Sequence, residues 1–560
     1  MRIWLLTLLI SFSFYLLGRP NIIWITCEDL SPDWLGCYGD SIVHTPHLDK
    51  LSRESIKYTR AYTTAGVCAP SRAAIITGMY QTSIGAHQMR TLSGAWGAKY
   101  SPVQSYSAVI PPEVRCFPEY LREVGYYCSN NEKQDYQFIP PVTVWDEQGP
   151  YASWEGRRTN QPLFAIFNVF ITHESQLFSH LSDPLDADPA KVKVPPFLPD
   201  TKIIREDIAR LYTNVQIMDR QVGEIITRLK KAGLYDQSYI FFYSDHGGMM
   251  PWTKREILER GTHIPLLIKF PGGKGAGTID QQLISSIDLA PTVLSLAGIK
   301  PPAYLNGQAF LGKFRSKAPR KYVFAARDRM DTEYDRVRSV RDKQYRYIRN
   351  FMPEKPYYQE IEYRLSIPSM KEILQLRNLN MLPVTTANWF KTKPAEELYD
   401  VQADPYEFNN LAENPQFVPQ LNTLRKAFEG WSQTYTDFGS IPEKEMIHNM
   451  WQGQQVMPET SKPKILVQGK RIIINCSTPG ASLAYQIITA EFNPAPTKVI
   501  QSWDQGVVQR PDQQGKSVVI SSRWEIYQKP LKIKLNPGDT LKVQAHRIGY
   551  APAFNAMVGS

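Results

Sequence analysis

Three apolar segments of this 560-residue chain end abruptly in acidic residues or histidines. Unbroken apolar runs of this length are typical of strands that are covered on both faces of a sheet. The segments and the polar residues that follow them are 21–26 with Glu28 and Asp29, 163–171 with His173, and 239–243 with Asp245 and His246. Because the carboxyl ends of parallel strands meet at one edge of a sheet, we expect these polar side chains to lie close together.

A long helix is predicted between the second and third of these strands. Residues 201–231 carry apolar side chains at helical spacing, and the pattern stops at Gly233. Helix, short loop and buried strand in this order predict an α/β domain with a mostly parallel sheet. Carboxylates with at most one imidazole at the edge of such a sheet favour Ca²⁺ or Mg²⁺ over Zn²⁺.

The hydrophobic period changes to two after residues 458–463, a linker rich in Pro, Ser, Thr and Lys. Strands are predicted over 465–467, 471–475, 483–487, 531–535 and 541–545. Turn signals at Pro479-Gly480 and at 536–539 separate them, which is typical of a small antiparallel β-sandwich. We therefore predict an all-β sandwich domain over residues 463–560.

The amino terminus carries an export pattern. Met1 and Arg2 precede an apolar run from Ile3 to Leu17, which is too short for an ordinary membrane helix. The pattern predicts a signal peptide over residues 1–19 and a secreted or periplasmic protein without a stable membrane anchor. An uncleaved amino-terminal anchor is the alternative.

The composition is that of a folded globular protein with a polyanionic partner. Hydrophobic residues make up 42% and charged residues 21% of the chain, which argues against a disordered protein. The net charge of +10 favours an anionic sugar, an anionic lipid or a nucleic acid as partner. Because the basic residues are dispersed and carry no recognition motif, a nucleic acid is not expected. Six scattered cysteines without a CxxC pair argue against a disulfide framework and against a zinc–thiolate site.

The segment 67–78 predicts a helix that begins at a cysteine. Pro70 suits the first helical turn, and Gly78 can end the helix. Cys68 then lies at a helix amino terminus, where free backbone N–H groups and the helix dipole favour an anion. Arg72, one turn further, can point its guanidinium at the same place. The pattern indicates a reactive thiol in an anion-binding pocket; a small buried cysteine at a helix start is the alternative.

The same segment carries a family resemblance. Cys68-Ala-Pro-Ser-Arg72, followed by Thr77-Gly78, resembles the signature of type I, formylglycine-dependent sulfatases, and the resemblance covers residues 20–445. Further blocks that agree with this family lie at 21–29, 44–51, 125–133, 244–254, 265–271 and 398–412. The sequence around Glu28-Asp29 is most similar to bacterial members described as heparan N-sulfatases or N-sulfoglucosamine sulfohydrolases.

This resemblance implies an alkaline-phosphatase-like α/β fold, with a mixed sheet flanked by helices over residues 20–315. A smaller α+β carboxyl-terminal subdomain is expected over residues 316–457. Three blocks of the predicted β-sandwich resemble the carboxyl-terminal module of bacterial chitobiases, which implies an accessory domain. These blocks are 476–482, 524–527 and 545–550.

The resemblance also implies a modified residue and a metal ion. Cys68 is expected to be oxidised to formylglycine by a formylglycine-generating maturation enzyme, and the hydrated formylglycine supplies the nucleophile. One Ca²⁺ ion, with Mg²⁺ as the less favoured alternative, is expected to clamp the sulfate oxygens. The expected metal ligands are Glu28, in place of the usual aspartate, Asp29, Cys68 as formylglycine, Asp245 and His246.

Four further catalytic roles follow from the resemblance. Arg72 is expected to hold the hydrated aldehyde. Lys133 and Lys254 are expected to neutralise sulfate oxygens. His173 is expected to protonate the leaving group as a general acid.

Three residues are candidate substrate contacts. His87 and Arg90 follow the signature helix, and Asp135 stands where many members of the family carry a second histidine. Residues 312–350 are rich in charged side chains, arginine above all, which predicts a solvated face or a salt-bridged sheet edge; a basic rim that selects charged sugars is the alternative.

Together these features predict an exported, calcium-dependent sulfatase that removes sulfate, as an ester or a sulfamate, from a sulfated polysaccharide or oligosaccharide. A phosphoester or phosphonate hydrolase of the same superfamily is one alternative. A catalytically inactive protein that binds anionic glycans is the other, because Glu28 and Asp135 depart from the family pattern.

Overall fold

The computed structural model of the protein describes residues 18–92, 101–488, 520–521 and 524–559. The signal peptide predicted over residues 1–19 therefore lies almost wholly outside the described residues. Within the described part of the chain, no helix combines the length and the apolar character that crossing a membrane requires.

The described residues form α-helices and β-strands in alternation, followed by strands alone. The strands are β1 Asn21–Cys27, β2 Ile56–Tyr62, β3 Tyr127–Asn131, β4 Glu147–Gln148, β5 Leu163–Val169, β6 Ser238–Ser244, β7 His263–Lys269, β8 Ile279–Asp280, β9 Ile284–Ser285, β10 Val323–Arg327, β11 Val337–Arg341, β12 Tyr345–Asn350, β13 Glu396–Asp400, β14 Lys464–Gln468, β15 Arg471–Asn475, β16 Ser482–Ile488, β17 Ile520–Ser521, β18 Glu525–Ile526, β19 Thr540–His546 and β20 Ala553–Val558. The helices are α1 Pro46–Arg53, α2 Cys68–Thr77, α3 Phe117–Glu123, α4 Gln176–Ser179, α5 Lys202–Lys231, α6 Glu259–Thr262, α7 Leu289–Leu296, α8 Pro368–Asn378, α9 Val384–Ala387, α10 Val418–Thr434 and α11 Glu443–Met450.

The largest sheet is mixed and brings three strand ends together. Its strand order is β17-β4-β3-β5-β1-β6-β7-β2-β8, with β9 paired to β2. Strand β1 runs parallel to β5 and β6, whereas β7 runs antiparallel to β6. Cys27 at the end of β1 lies opposite Val169 of β5 and Ser244 of β6, so these strands end at the same edge. The prediction that their carboxyl ends meet is confirmed.

Helices cover both faces of this sheet, because successive side chains of a strand point to opposite faces. Ile23 and Ile25 of β1 pack in one hydrophobic cluster together with residues of α5. Ile22 and Trp24 of the same strand pack in a second cluster with residues of α2, α3 and α7. The alkaline-phosphatase-like α/β fold, with a mixed sheet flanked by helices, is therefore confirmed.

A second, antiparallel sheet has the order β10-β11-β12-β13 and packs against α10. Five arginines of the segment 312–350 lie buried beside acidic residues in and around this sheet. The pairs are Arg327 with Glu256 and Asp335, Arg329 with Glu443, Arg338 with Asp328 and Asp437, and Arg341 and Arg346 with Glu259. The salt-bridged interpretation is therefore confirmed for these arginines, and the solvated-face and basic-rim interpretations are wrong for them.

The carboxyl-terminal strands form two antiparallel sheets, β14-β15 and β18-β16-β19-β20. Ile472 of β15 and Leu541 of β19 belong to one hydrophobic cluster between the sheets, which confirms the appended all-β sandwich. The strand predicted over 531–535 is wrong: Leu531 alone pairs with Ile472. In this antiparallel register, residues 533 onward lie opposite the turn at 469–470 that precedes β15, so the ladder has no strand to continue along.

The β-sandwich packs directly against the large sheet. Ile548 lies in the second core cluster of that sheet, and Arg547 donates a hydrogen bond to the carbonyl of Ile110. Ser482 donates to Glu119 at 2.6 Å, and β17 pairs with β4. Through these contacts the sandwich packs on the α/β portion of the chain. The domain boundaries predicted at residues 315 and 457 stay predictions.

Candidate active site

The strand ends bring Asp29, Asp245 and His246 into one buried cluster. His246 Nε2 lies 3.0 Å from Asp29 Oδ1 and 3.8 Å from Asp245 Oδ1, and all three side chains are fully buried. Within the described part of the chain, neither His246 Nε2 nor Asp29 Oδ1 makes a well-aligned hydrogen bond. One ligand atom from each of the three side chains lies within 4.8 Å of the others, and buried polar atoms with incomplete hydrogen bonding are costly, so their convergence fits a bound cation with oxygen and nitrogen ligands.

The electrostatic interactions within this cluster also favour a bound cation. Burial alone would lower the pKa of His246, but Asp245 and Asp29 beside it raise the pKa to about 10. Burial likewise opposes ionisation of Asp245, yet His246 and Arg72 together hold its pKa below the usual value. The two carboxylates thus stabilise a positive charge at this point, as they would stabilise a divalent cation.

Glu28, Asp29 and His173 form a second group of possible ligand atoms beside the first. This group suits a cation less well, because both Glu28 oxygens already accept hydrogen bonds from cationic side chains. Oε1 accepts from Arg72 Nη2, and Oε2 lies 2.8 Å from Lys133 Nζ. The prediction that Glu28 ligates the metal stays a prediction.

Helix α2 places Cys68 and Arg72 at this cluster. Cys68 is the first residue of the helix and is nearly buried, and Gly78 in the left-handed conformation ends the helix. The Ser71 hydroxyl donates to the backbone carbonyl of Asp245 at 2.6 Å, which fixes the amino end of α2 to the end of β6. The helix dipole and its free N–H groups are therefore directed at residue 68.

Three acceptors hold the Arg72 guanidinium. Nη2 donates to Glu28 Oε1, Nε donates to Asp245 Oδ2 at 2.9 Å, and Nη1 donates to Asn168 Oδ1 at 2.9 Å. Burial opposes the charge of Arg72, but Glu28 and Asp245 more than offset this and raise its pKa. Arg72 is therefore a permanent, rigidly oriented cation.

Two lysines complete a ring of positive charge around Cys68. Lys133 Nζ lies 2.8 Å from Glu28 Oε2, and Lys254 Nζ lies 2.6 Å from Asp29 Oδ2. Burial opposes both charges, but Glu28 raises the pKa of Lys133, and Asp29 raises that of Lys254. Both ammonium groups also lie near enough to Cys68 for a negative charge there to raise their pKa further.

His173 lies beside Lys254 in a neutral form. Its Nε2 is 3.2 Å from Lys254 Nζ, and its Nδ1 is 2.9 Å from the Ser175 hydroxyl. An ammonium group only donates, so Nε2 faces Lys254 as an acceptor, while Nδ1 also receives the Ser175 backbone N–H at 3.2 Å; both ring nitrogens therefore face donors. Burial, followed by the charge of Lys254, lowers the pKa of His173 well below its usual value. The proton nearest to a leaving group here is therefore one that Lys254 shares with His173.

Comparison with known proteins identifies the family. A family model described as Sulfatase matches residues 20–164 and 151–299. An ulvan-active sulfatase of Formosa agariphila is 42% identical over 571 residues, which cover 96% of this chain and 90% of that protein. The chain is a member of the sulfatase family. The fold, the signature helix and the polar cluster of this sulfatase lie within the matched residues.

Two further comparisons refine this result. A model described as "N-sulphoglucosamine sulphohydrolase, C-terminal" matches residues 247–382. The human N-sulphoglucosamine sulphohydrolase is 26% identical over 467 residues, which cover 73% of this chain and 89% of that protein. A solved structure of a 2-O GAG sulfatase has a TM-score of 0.54 at 18% identity and covers 74% of this chain and 92% of its own. The predicted resemblance to sulfatases and to N-sulfoglucosamine sulfohydrolases is confirmed.

The structure of this sulfatase adds site residues that the sequence pattern did not single out. Glu174 accepts two hydrogen bonds from Arg255, at 2.8 and 2.5 Å, and lies 3.3 Å from Lys254 Nζ. Glu174 directly follows His173, and Arg255 directly follows Lys254. A charged residue next to a predicted site residue could therefore have identified both from the sequence. Asn168 was detectable as the one amide inside the apolar run 163–171.

The three predicted substrate contacts have different surroundings. Asp135 is partly exposed and lies 3.9 Å from Lys133 Nζ, at the rim of the cluster. Arg90 Nε lies 2.5 Å from Asp331 Oδ1, and its guanidinium lies 4.8 Å above the ring of Tyr363. Tyr363 in turn packs against the hydrophobic cluster that contains Cys68. Arg90 and Asp135 are thus both close to the candidate site.

His87 is placed elsewhere. Its side chain is buried, and burial lowers its pKa. Among the charged groups of the described residues, Asp328 and Arg338 act most strongly on it, and neither belongs to the cluster around Cys68. The burial of His87 counts against a sugar contact, which stays a prediction without support from this geometry.

Proposed function

We propose that this sulfatase removes sulfate from a sulfated polysaccharide, with formylglycine at position 68 and one Ca²⁺ ion. The observation that carries the proposal is the position of Cys68. It begins α2 between the carboxylate–imidazole cluster of Asp29, Asp245 and His246 and a set of three cationic side chains. An anionic group bound there would meet positive charge from both sides.

Asp29, Asp245 and His246 would hold the calcium ion together with residue 68. The donor set supports this assignment, since two carboxylates and one imidazole suit a hard cation better than zinc, which favours thiolates and several imidazoles. When bound, the ion supplies a positive charge that polarises the sulfate oxygens. Calcium is favoured over magnesium because it tolerates irregular coordination geometry.

Formylglycine at position 68, once hydrated, would supply two hydroxyls: the first would form a bond to sulfur as the bond from sulfur to the leaving oxygen or nitrogen breaks, and loss of the proton of the second would then release sulfate and restore the aldehyde. Arg72 binds residue 68 and an oxygen of the substrate sulfate. Lys133 and Lys254 bind the other sulfate oxygens and stabilise the charge that develops on them. The proton that Lys254 shares with His173 passes to the leaving oxygen or nitrogen.

The net charge of the chain and the names of its relatives support a choice of substrate. A net charge of +10 favours a polyanion. The relative at 42% identity over most of both chains is named for activity on ulvan, whereas the N-sulphoglucosamine sulphohydrolase is 26% identical. Ulvan is therefore the first candidate substrate, and an N-sulfated amino sugar is the second.

One experiment tests the reaction and its substrate. The protein is coexpressed with a formylglycine-generating enzyme, and the peptide with residue 68 is examined by mass spectrometry. Sulfate release from ulvan, heparin and chondroitin sulfate is then followed by ion chromatography, with the Cys68→Ala variant as control. We expect formylglycine at position 68 and sulfate release from ulvan by the matured protein alone.

Three outcomes would count against the proposal. Full activity with an unmodified thiol at position 68 would refute the mechanism. Hydrolysis of aryl phosphates or phosphonates without hydrolysis of aryl sulfates would favour the phosphoester or phosphonate alternative. Glycan binding without any turnover would favour an inactive binding protein.

We also propose that the protein is exported, since the apolar run between Ile3 and Leu17 has the length of a signal peptide. Expression of the full chain in a Gram-negative host, followed by cell fractionation and amino-terminal sequencing, tests this. A periplasmic product that begins near residue 20 is expected. A product that keeps Met1 and stays with the membrane fraction would favour the uncleaved anchor.

A further inference from the structure

A chain of amide groups at the ends of β3 and β5 connects two of the cationic side chains. Asn168 Oδ1 accepts from Arg72 Nη1 at 2.9 Å. Asn168 Nδ2 donates to Asn130 Oδ1 at 3.1 Å and to the backbone carbonyl of Asn131 at 2.8 Å. Asn130 Nδ2 donates in turn to the backbone carbonyl of Lys133 at 3.1 Å. The hydrogen bonds therefore run without a break from Arg72 to the backbone of Lys133.

The chemistry of the partners fixes the orientation of the Asn168 amide. A guanidinium only donates, so the amide oxygen must face Arg72. The amide nitrogen then faces three oxygen acceptors on β3, and the side chain has partners at both ends. An amide inside a run that is otherwise apolar costs desolvation, which these hydrogen bonds offset. Asn168 is thus built into β5 for its hydrogen bonds rather than for packing.

The same two cations are also connected on their other side. Glu28 accepts from Arg72 through Oε1 and from Lys133 through Oε2. Each nitrogen of the Arg72 guanidinium therefore has one acceptor, and the three acceptors stand at the ends of three neighbouring strands, β1, β5 and β6. Without Asn168, Nη1 would lose its partner, and the plane of the guanidinium would no longer be fixed.

We propose that Asn168 is a positioning residue that sets the orientation of Arg72 relative to Lys133. This inference rests on the proposed function, in which both side chains bind oxygens of the same sulfate group. Two like charges repel each other, and their spacing is useful only if it matches the spacing of the sulfate oxygens. Glu28 supplies a charged connection between them, and Asn168 with Asn130 supplies a neutral one.

The test compares three variants of the matured, full-length protein. Asn168→Leu keeps the approximate side-chain volume and removes both the acceptor for Arg72 and the donor toward Asn130. Asn168→Asp keeps an acceptor for Arg72 and loses the donors toward Asn130. Ser129→Ala is the matched control, because Ser129 is a buried neighbour on β3 whose hydroxyl has no hydrogen-bond partner in the described part of the chain.

Five quantities are measured for each variant: kcat and KM for an aryl sulfate, the inhibition constant of inorganic sulfate, the Ca²⁺ affinity by calorimetry, and the formylglycine content. For N168L we expect kcat/KM to fall about 100-fold and the inhibition constant of sulfate to rise about 10-fold. The Ca²⁺ affinity and the formylglycine content should match the wild type. For N168D the inhibition constant should stay within about 3-fold of the wild type, because Arg72 keeps its acceptor.

Several results would overturn the inference. An unchanged inhibition constant in N168L would do so, as would a parallel loss of Ca²⁺ affinity, which indicates general damage to the site. If N168L does not fold, N168D decides the question: a 10-fold weaker sulfate inhibition in that variant is incompatible with the proposed role. If the wild type cleaves aryl phosphates or phosphonates instead of sulfates, the proposed function fails. The same variants then test Asn168 with inorganic phosphate as inhibitor.

Discussion

His246 Nε2 lies 3.0 Å from Asp29 Oδ1 at the buried end of the central sheet. The two atoms belong to segments that are 217 positions apart in the chain, and the parallel pairing of β1 with β6 brings them together. Their closeness to Asp245 Oδ1 gives the calcium site of the proposed function its first three ligand atoms.

The Asp29→Ala variant should therefore lose calcium. Removing one of the four proposed protein ligands is expected to lower the Ca²⁺ affinity by roughly 100-fold and to abolish turnover. Calorimetric titration and metal analysis of the purified protein measure the affinity. In the wild type, Ca²⁺ at 100 times its Kd should add about 2.7 kcal/mol to the free energy of unfolding, which thermal unfolding with and without a chelator detects.

The control for this variant is Asp200→Ala, which removes an exposed carboxylate that pairs with Arg205. It should keep both the Ca²⁺ affinity and the response of the Tm to a chelator. If Asp29→Ala binds Ca²⁺ as tightly as Asp200→Ala, the assignment of the metal site is wrong.

A variant of Glu28 should separate the loss of metal binding from the loss of correctly positioned cations. Its oxygens accept hydrogen bonds from Arg72 and Lys133, so the Glu28→Ala variant should lower kcat/KM by about 100-fold through these two cations. The Ca²⁺ affinity should fall by no more than about 10-fold, because only the long-range attraction of one carboxylate is lost. A loss of affinity as large as that of Asp29→Ala would show that Glu28 is a direct ligand.

The sequence was sufficient to predict the polar cluster, and the reason is physical. Asp29, Asp245 and His246 each lie within two residues of a strand end, and strands that are buried on both faces leave little choice of direction for the residues just after them. The signature segment likewise predicts its own helix, because Pro70 and Gly78 favour its two ends. Local chemistry determines these features, so a pattern along the chain can reveal them.

The placement of His87 could not be predicted in this way. The turn after α2 contains Gly85 at φ 68° and Arg90 at φ 57°, and such left-handed residues redirect the chain in a manner that tertiary contacts stabilise. Which of the neighbouring side chains faces inward depends on the subdomain that packs there, including Arg338 and Asp328. The pairing of Glu174 with Arg255 depends on tertiary contacts for the same reason.

Arg90 and His87 should therefore differ as substrate contacts. Arg90→Ala is expected to raise the KM for the sulfated polysaccharide by about 10-fold and to leave the kinetics with a small aryl sulfate unchanged. His87→Gln is expected to leave both KM values unchanged, since His87 is buried away from the cluster around Cys68. Steady-state kinetics with the two substrates distinguish these cases. A raised polysaccharide KM in His87→Gln alone would contradict this assignment.

Arg329 and Glu443 form a buried ion pair. Arg329 donates to Glu443 from Nε at 2.6 Å and from Nη2 at 2.7 Å, and both side chains are buried. The Glu443→Gln variant leaves the guanidinium without its counter-charge and should lower the free energy of unfolding by about 3–5 kcal/mol at neutral pH. Thermal unfolding measures the loss, and Asp200→Ala is again the exposed control.

The pH dependence of this effect has a defined sign. Burial would raise the pKa of Glu443, but the hydrogen bonds from Arg329 hold it below the usual value. A carboxylate with a lowered pKa in the folded state contributes stability that is present above the unfolded pKa and is lost as the pH falls below it. The difference in Tm between the wild type and Glu443→Gln should therefore shrink below about pH 4.5. A difference that stays constant on acidification would contradict the assignment.

In the proposed reaction, the leaving group takes its proton from the pair of His173 and Lys254. His173 Nε2 faces Lys254 Nζ, and the stacked ring of Phe170 lies 4.8 Å from the imidazole. The His173→Ala variant should lower kcat/KM for a sugar sulfate by about 100-fold, because a sugar oxygen needs a proton to leave. An aryl sulfate with an acidic phenol leaves without this help, so its kcat/KM should change by less than about 5-fold. Phe170→Leu disturbs the packing of the imidazole without removing it and is the matched control. Equal losses for both substrates in His173→Ala would assign His173 to sulfate binding instead of proton transfer.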